Sequence, residues 1–138
     1  MYPESLKYSS DHIWVEEEDE GVIKVGVTDA LKATIGEITY VELPKVGDSV
    51  VEGEAFGTIE GTKSVSELIS PVSGTVVEVN EEVLEVPEKI DEDIYGEGWL
   101  IKVEIEDPMQ IEALMDAEEY SGVAEEVKRG LEGESEDE

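Results

Sequence analysis

Cysteine is absent from the 138 residues. Disulfides, thiolate metal sites and thiol nucleophiles are therefore excluded, and any sulfur redox chemistry must come from a cofactor. Histidine occurs once, at His12, which leaves no partner for a histidine-based metal site or a triad, and no G-x-S-x-G element is present. Basic residues are also scarce, with 9 Lys and Arg against 38 Asp and Glu, for a formal charge of -29. An acidic surface gains nothing from counterion release on nucleic acid and is repelled by anionic lipid, so neither is an expected partner. No apolar run approaches the length of a membrane span. Met1-Tyr2-Pro3-Glu4 lacks the basic and apolar regions of a signal or transit peptide, so a cytoplasmic location is expected.

The hydrophobic share of 39% in recurrent short runs argues for a folded chain. Length and composition suggest a single domain over residues 1–131, followed by an acidic tail over 132–138 that is expected to be disordered. That tail holds five acids, so most of the charge belongs to the folded surface. No spacing matches a calcium loop, and a solvated acidic coat suited to a salty cytoplasm is the plainer reading.

Short strands are predicted at Ile13–Val15 and Val22–Val27, joined through Asp19-Glu20-Gly21, then at Glu37–Glu42, Ala55–Glu60, Val65–Ile69, Thr75–Val79 and Trp99–Glu104. A two- or three-residue strand falls between the turn signals of 46–54. Thr28 is the expected N-cap of a helix over Asp29–Ile35 that Gly36 ends. Residues 81–90 are ambiguous, with a helical turn before Pro87. Asp107-Pro108-Met109-Gln110 reads as a helix start with a capping-box glutamine, and Asp116 and Glu119 form a second capping box. That last helix is expected to stop at Lys128-Arg129-Gly130. Many short strands with turn glycines indicate a mainly β, antiparallel sandwich or barrel.

Lys63 is the only basic residue between Val46 and Glu88, a stretch with ten acids. It sits in Glu60-Gly61-Thr62-Lys63-Ser64, between two strand-like runs, as an amine raised on a hairpin tip. Such a rigidly supported amine suits covalent attachment better than catalysis. The run Gly57–Ser64 nearly spells a P-loop, but Thr62 stands where the second glycine belongs. Glu60 would also put negative charge in the phosphate cradle, and the following segment is strand-like. His12 reads as a local hydrogen-bonding group beside Trp14, and Trp14 and Trp99 as core or pocket-wall aromatics.

Read in order, Asp11-His12-Ile13-Trp14-Val15, Val25-Gly26-Val27-Thr28, the run Gly36–Pro44, Ser70-Pro71-Val72-Ser73-Gly74 with its continuation to Asn80, and Tyr95–Lys102 carry a resemblance. The chain resembles the H-protein family of the glycine cleavage system over about residues 6–120. The resemblance implies a barrel-sandwich hybrid, lipoyl-domain-like, with a short helix in its N-terminal half and further C-terminal helices. It implies a non-enzymatic carrier with lipoate in amide linkage on Lys63, and Glu60, Gly61, Thr62 and Ser64 as the context of attachment. The family commonly shows E-S-V-K-A there, of which this chain keeps Glu60. The methionines that flank the lysine of biotin carriers are absent.

By the same resemblance, the arm takes the aminomethyl group of glycine from a PLP-dependent glycine decarboxylase to an aminomethyltransferase. A dihydrolipoamide dehydrogenase reoxidises it, and a lipoate ligase or octanoyltransferase installs it. Family members usually carry H-E-W near the N-terminus, the glutamate being associated with the cleft for the loaded arm. Here that position is Ile13, and Asp11 or Glu67 are the candidates to replace it. An H-like lipoyl carrier for another pathway (sulfur metabolism or lipoyl relay) and an unlipoylated acidic interaction module are the alternatives.

Overall fold

The computed structural model describes residues 2–19 and 21–136, with side chains described as far as Gly130. Glu20 of the first predicted turn and residues 137–138 of the predicted tail lie outside the described residues. Every strand pairing is antiparallel. One six-stranded sheet is built from β1 (Lys7–Tyr8), β2 (Ile13–Asp19), β3 (Val22–Val27), β9 (Ile101–Ile105), β8 (Gly74–Val79) and β5 (Ser49–Val50), in that spatial order. A three-stranded sheet orders β4 (Ile38–Glu42), β6 (Ala55–Gly61) and β7 (Val65–Ile69). The two sheets share a core: Ile23, Val25 and Val27 come from the larger, Val41, Ile59 and Leu68 from the smaller. Alternation with period two brings Ile23, Val25 and Val27 onto one face of β3. The arrangement is the mainly β, antiparallel architecture that the strand pattern implies, and it is compatible with the barrel-sandwich hybrid that the resemblance implies.

Helix α1 (Asp29–Ile35) bridges the sheets, and Gly36 ends it at φ 88° with its N–H on the Lys32 carbonyl, 2.7 Å away. Thr28 holds the N-cap position but makes no side-chain cap. Its hydroxyl lies 2.6 Å from the Tyr120 hydroxyl instead, because the site is fully buried and the nearest polar partner is on the C-terminal helix. Residues 81–92 resolve into α2 (Glu81–Glu85) and α3 (Glu88–Glu92), with Pro87 between them. Two more helices follow, α4 (Met109–Glu112) and α5 (Ala117–Glu136).

The capping box that opens α5 is reciprocal, Glu119 N–H to Asp116 Oδ1 at 2.8 Å and Asp116 N–H to Glu119 Oε1 at 3.2 Å. The one predicted for α4 is not made. Gln110 reaches across to accept the Ser73 N–H at 2.8 Å, while Asp107 Oδ1 takes the Met109 N–H. The backbone of α5 also passes Gly130 and runs to Glu136, so the stop predicted at 128–130 is not used. A glycine ends a helix only by turning left-handed. Gly130, whose φ is not positive, stays helical.

Helix α5 packs its Tyr120 and Ala124 over Tyr2, Tyr8, Trp14 and Ala30, forming a second core beside the main one. The Tyr8 and Tyr120 rings stack at 4.8 Å, and Tyr2 meets both edge-on. Trp14 is fully buried and donates to the Ile94 carbonyl. Trp99 lies beside the ammonium groups of Lys24 and Lys102, at 5.9 and 5.2 Å. Glu18 bonds to both lysines, Lys102 first, and these contacts hold its carboxyl below the usual range.

Candidate functional site

Strands β6 and β7 pair Thr58 with Glu67, Ile59 with Ser66 and Glu60 with Val65, so residues 61–64 form the hairpin tip. Gly61 N–H donates to the Ser64 carbonyl at 2.9 Å and closes it. The tip is then fastened to the end of α1 by its own backbone. Lys63 N–H donates to the Ile35 carbonyl at 2.8 Å, and Ser64 N–H reaches the same oxygen at 3.3 Å. Thr62 N–H donates to the Glu37 carbonyl at 2.9 Å. The unused carbonyl at a helix C-terminus and the unused N–H groups of a turn thus satisfy one another.

Two glycines permit this approach. A Cβ on Gly61 would run into the Ile35 carbonyl oxygen, and one on Gly36 would run into the Thr62 hydroxyl and lie 3.1 Å from the Lys63 backbone nitrogen. No side chain larger than hydrogen fits either position without moving the tip.

The Lys63 side chain is exposed, and among the described residues its ammonium has no ion-pair partner. It borders a concavity of about 500 Å³ with Asp29, Lys32, Glu37, Thr62 and Lys128. Lys32 is paired to Asp91 at 3.3 Å and Lys128 to Asp29 at 3.1 Å. Burial alone would raise the Asp29 pKa. The hydrogen bonds from Tyr2, Lys128 and Tyr95 and the Lys128 charge outweigh it and bring the carboxyl below its ordinary value. Burial, with Asp29 nearby, pushes the Tyr2 and Tyr95 hydroxyls well up, so both remain donors. Among the described residues, Lys63 is therefore the unpaired amine at a site whose other two cations are engaged.

The sequence-predicted residues fall in three places. Glu60, Gly61, Thr62 and Ser64 surround Lys63, although Glu60 and Ser64 point no bonded group at it among the described contacts. Glu67 is exposed on β7 opposite Thr58. Asp11 borders a separate concavity of about 350 Å³ with Ser9, Glu52, Ser70 and Pro71. Neither Asp11 nor Glu67 borders the concavity at Lys63. Ile13 is fully buried against the sheet core, paired with Val27.

Among the described residues, the His12 side chain does not make a local hydrogen bond but reaches the C-terminal helix. Its Nδ1 lies 2.8 Å from the Tyr120 hydroxyl, and it sits at φ 68°, a left-handed turn that closes β1 onto β2. Burial lowers its pKa, with Asp11 opposing. Asp29, Lys32 and Lys128 are the site residues that sequence reasoning missed. The only signal available was the rarity of cations, which makes Lys32 and Lys128 two of nine.

The glycine cleavage H-protein family model matches residues 6–127. The glycine cleavage system H protein of Anaeromyxobacter sp. (strain K) is 48% identical over 124 residues, covering 90% of this chain and 96% of that protein. The one from Carboxydothermus hydrogenoformans is 45% identical over 126 residues, covering 91% and 96%. Among solved structures, the crystal structure of a glycine cleavage system H protein from Mycobacterium marinum superposes with a TM-score of 0.81 at 37% identity. It covers 88% of this chain and 97% of that one.

Proposed function

The chain belongs to the glycine cleavage H-protein family, and from this we propose that it is the lipoyl carrier of that system, bearing the group in amide linkage on Lys63. It is a carrier and not an enzyme. The observation that carries the site is Lys63 itself: an exposed ammonium, unpaired among the described residues, on a tip held by three backbone hydrogen bonds to residues 35 and 37. The residues present fit the group. Acylation there breaks no ion pair described, and an open concavity adjoins the amine.

When bound, the lipoyl dithiolane supplies the redox and group-carrying chemistry. The chain supplies the rest. The α1 anchor fixes the root of the arm, and the tether keeps its far end at high local concentration around each visited site. Lys32 and Lys128, each neutralised by a carboxylate, leave Lys63 as the one amine at this place without a counter-charge among the described residues. The partners of this reading are a PLP-dependent glycine decarboxylase, an aminomethyltransferase, a dihydrolipoamide dehydrogenase and a lipoate ligase or octanoyltransferase.

Intact mass after co-expression with a lipoylating enzyme tests the site. Lipoyl mass is expected on the wild-type chain and none on Lys63→Arg; added mass that survives the substitution would place the group elsewhere. The buried Ile13 keeps one second reading in view, a lipoyl carrier for another cargo, because an alkyl side chain in the core offers nothing to an amine. Lipoylated protein given glycine and the decarboxylase should gain the aminomethyl mass, and a competent preparation that gains none would favour that second reading.

A further inference from the structure

Val46, Val77 and Leu84 are 64%, 41% and 40% exposed on a chain whose surface is otherwise dominated by acids. They are not scattered. The three line one groove of about 440 Å³, together with Pro44 and Val79. The exposure of Val77 has a specific cause. The β8–β9 register pairs Val76 with Val103 and Glu78 with Lys102, so Val77 is an extra residue at a bulge. In an unbroken strand, successive side chains would alternate between core and solvent. The bulge instead places Val77 and Glu78 side by side at the surface. On the other edge β5 pairs only Thr75 and Gly74, so no strand covers β8 beyond Val76 among the described residues.

The charge around the groove is uneven. Glu78 and Glu81 line it against a single cation, Lys45. Glu81 and, on the same helix, Glu85 have no ion-pair partner among the described residues, whereas Glu78 and Glu82 are matched by Lys102 and Lys89. A solvent-exposed apolar cluster beside uncompensated carboxylates is complementary to apolar side chains flanked by cations. A second copy of this chain would bring the same acidic rim and another formal charge of -29, which opposes self-association.

We propose that the groove between the 44–46 turn, β8 and α2 is a docking surface for a partner protein that presents apolar side chains ringed by lysine or arginine. Its position suits a carrier. The Ile38 end of β4 pairs with Gly61 beside the lysine tip, while the Glu42 end leads into Pro44 at the groove. At about 3.3 Å per residue the six residues from 38 to 44 separate the two by roughly 20 Å. A partner seated in the groove therefore leaves Lys63 uncovered.

The inference rests on the carrier reading only in its choice of probes, and lipoyl mass on Lys63 is read independently of it. The probes are the purified glycine decarboxylase, aminomethyltransferase and dihydrolipoamide dehydrogenase of the same organism, titrated calorimetrically against the full chain both lipoylated and as Lys63→Arg. Val46→Asp and Leu84→Asp are expected to weaken binding of at least one enzyme by about tenfold or more in both backgrounds. Glu81→Lys should weaken the same pair. Met109→Asp, at an exposed apolar position outside the groove, should not. Unaltered melting temperatures exclude misfolding as the cause. The proposal is overturned if no enzyme responds to the groove variants, if Glu81→Lys strengthens binding, or if sedimentation reveals a dimer that Val46→Asp dissolves.

Discussion

Gly61 shows how much of the lysine site depends on an atom that is missing. Its Cβ would meet the carbonyl oxygen of Ile35, which also accepts the Lys63 and Ser64 N–H groups. Gly61→Val should therefore push the tip off α1, at a cost of about 2–4 kcal/mol. It should also slow acylation of Lys63 by a purified lipoylating enzyme. Thr62→Ala, which keeps the backbone bond to Glu37, should change both by little. Equal melting temperatures and equal acylation rates for Gly61→Val and wild type would disprove the role given to this contact. The position of Lys63 on an exposed hairpin tip was legible at this scale, from the two strand-like runs around it. The contact made by Gly61 was not, since the Ile35 carbonyl is brought there only by tertiary packing.

Among the elements, α5 is the one whose attachment the structure explains best. The Tyr120 hydroxyl joins His12 Nδ1 at 2.8 Å and Thr28 Oγ1 at 2.6 Å, tying the helix to the β1–β2 turn and to the start of α1. Burial pushes the pKa of that hydroxyl up to about 12, so it stays protonated. Tyr120→Phe keeps the ring stack with Tyr8 but leaves the buried Thr28 hydroxyl without this partner. Denaturant unfolding should show a loss of about 1–3 kcal/mol, and an unchanged midpoint would mean that the network contributes nothing net. None of this could be read in advance, because the partners lie 108 and 92 residues apart. What could be read was local. The strand β7 appears with the bounds predicted, Val65–Ile69, and the Asp116–Glu119 capping box forms as written. Thr28 and Gln110 had the right chemistry for local caps, but each was drawn to a more distant partner by packing.

For the whole molecule the dominant quantity is the formal charge of -29. The ion pairs of the described residues are mostly half-exposed, and such pairs contribute about 0–1 kcal/mol each. Repulsion among the unpaired acids is the larger electrostatic effect. Raising salt from about 0.1 M to 1 M shortens the screening length from roughly 10 to 3 Å. The melting temperature should then climb, by about 5 °C or more. A flat or falling curve would show that attraction, not repulsion, governs the surface. The backbone anchoring of the hairpin also bears on how this molecule is recognised. On the proposed function, an acylating enzyme that meets Lys63 would find the loop already ordered and would lose little conformational entropy in gripping it. Because the bonds at 62, 63 and 64 come from main-chain N–H groups, the shape offered is largely indifferent to the side chains at 62 and 64. Substitution at those two positions by residues other than proline can therefore alter the spelling around the lysine while leaving the backbone anchor in place.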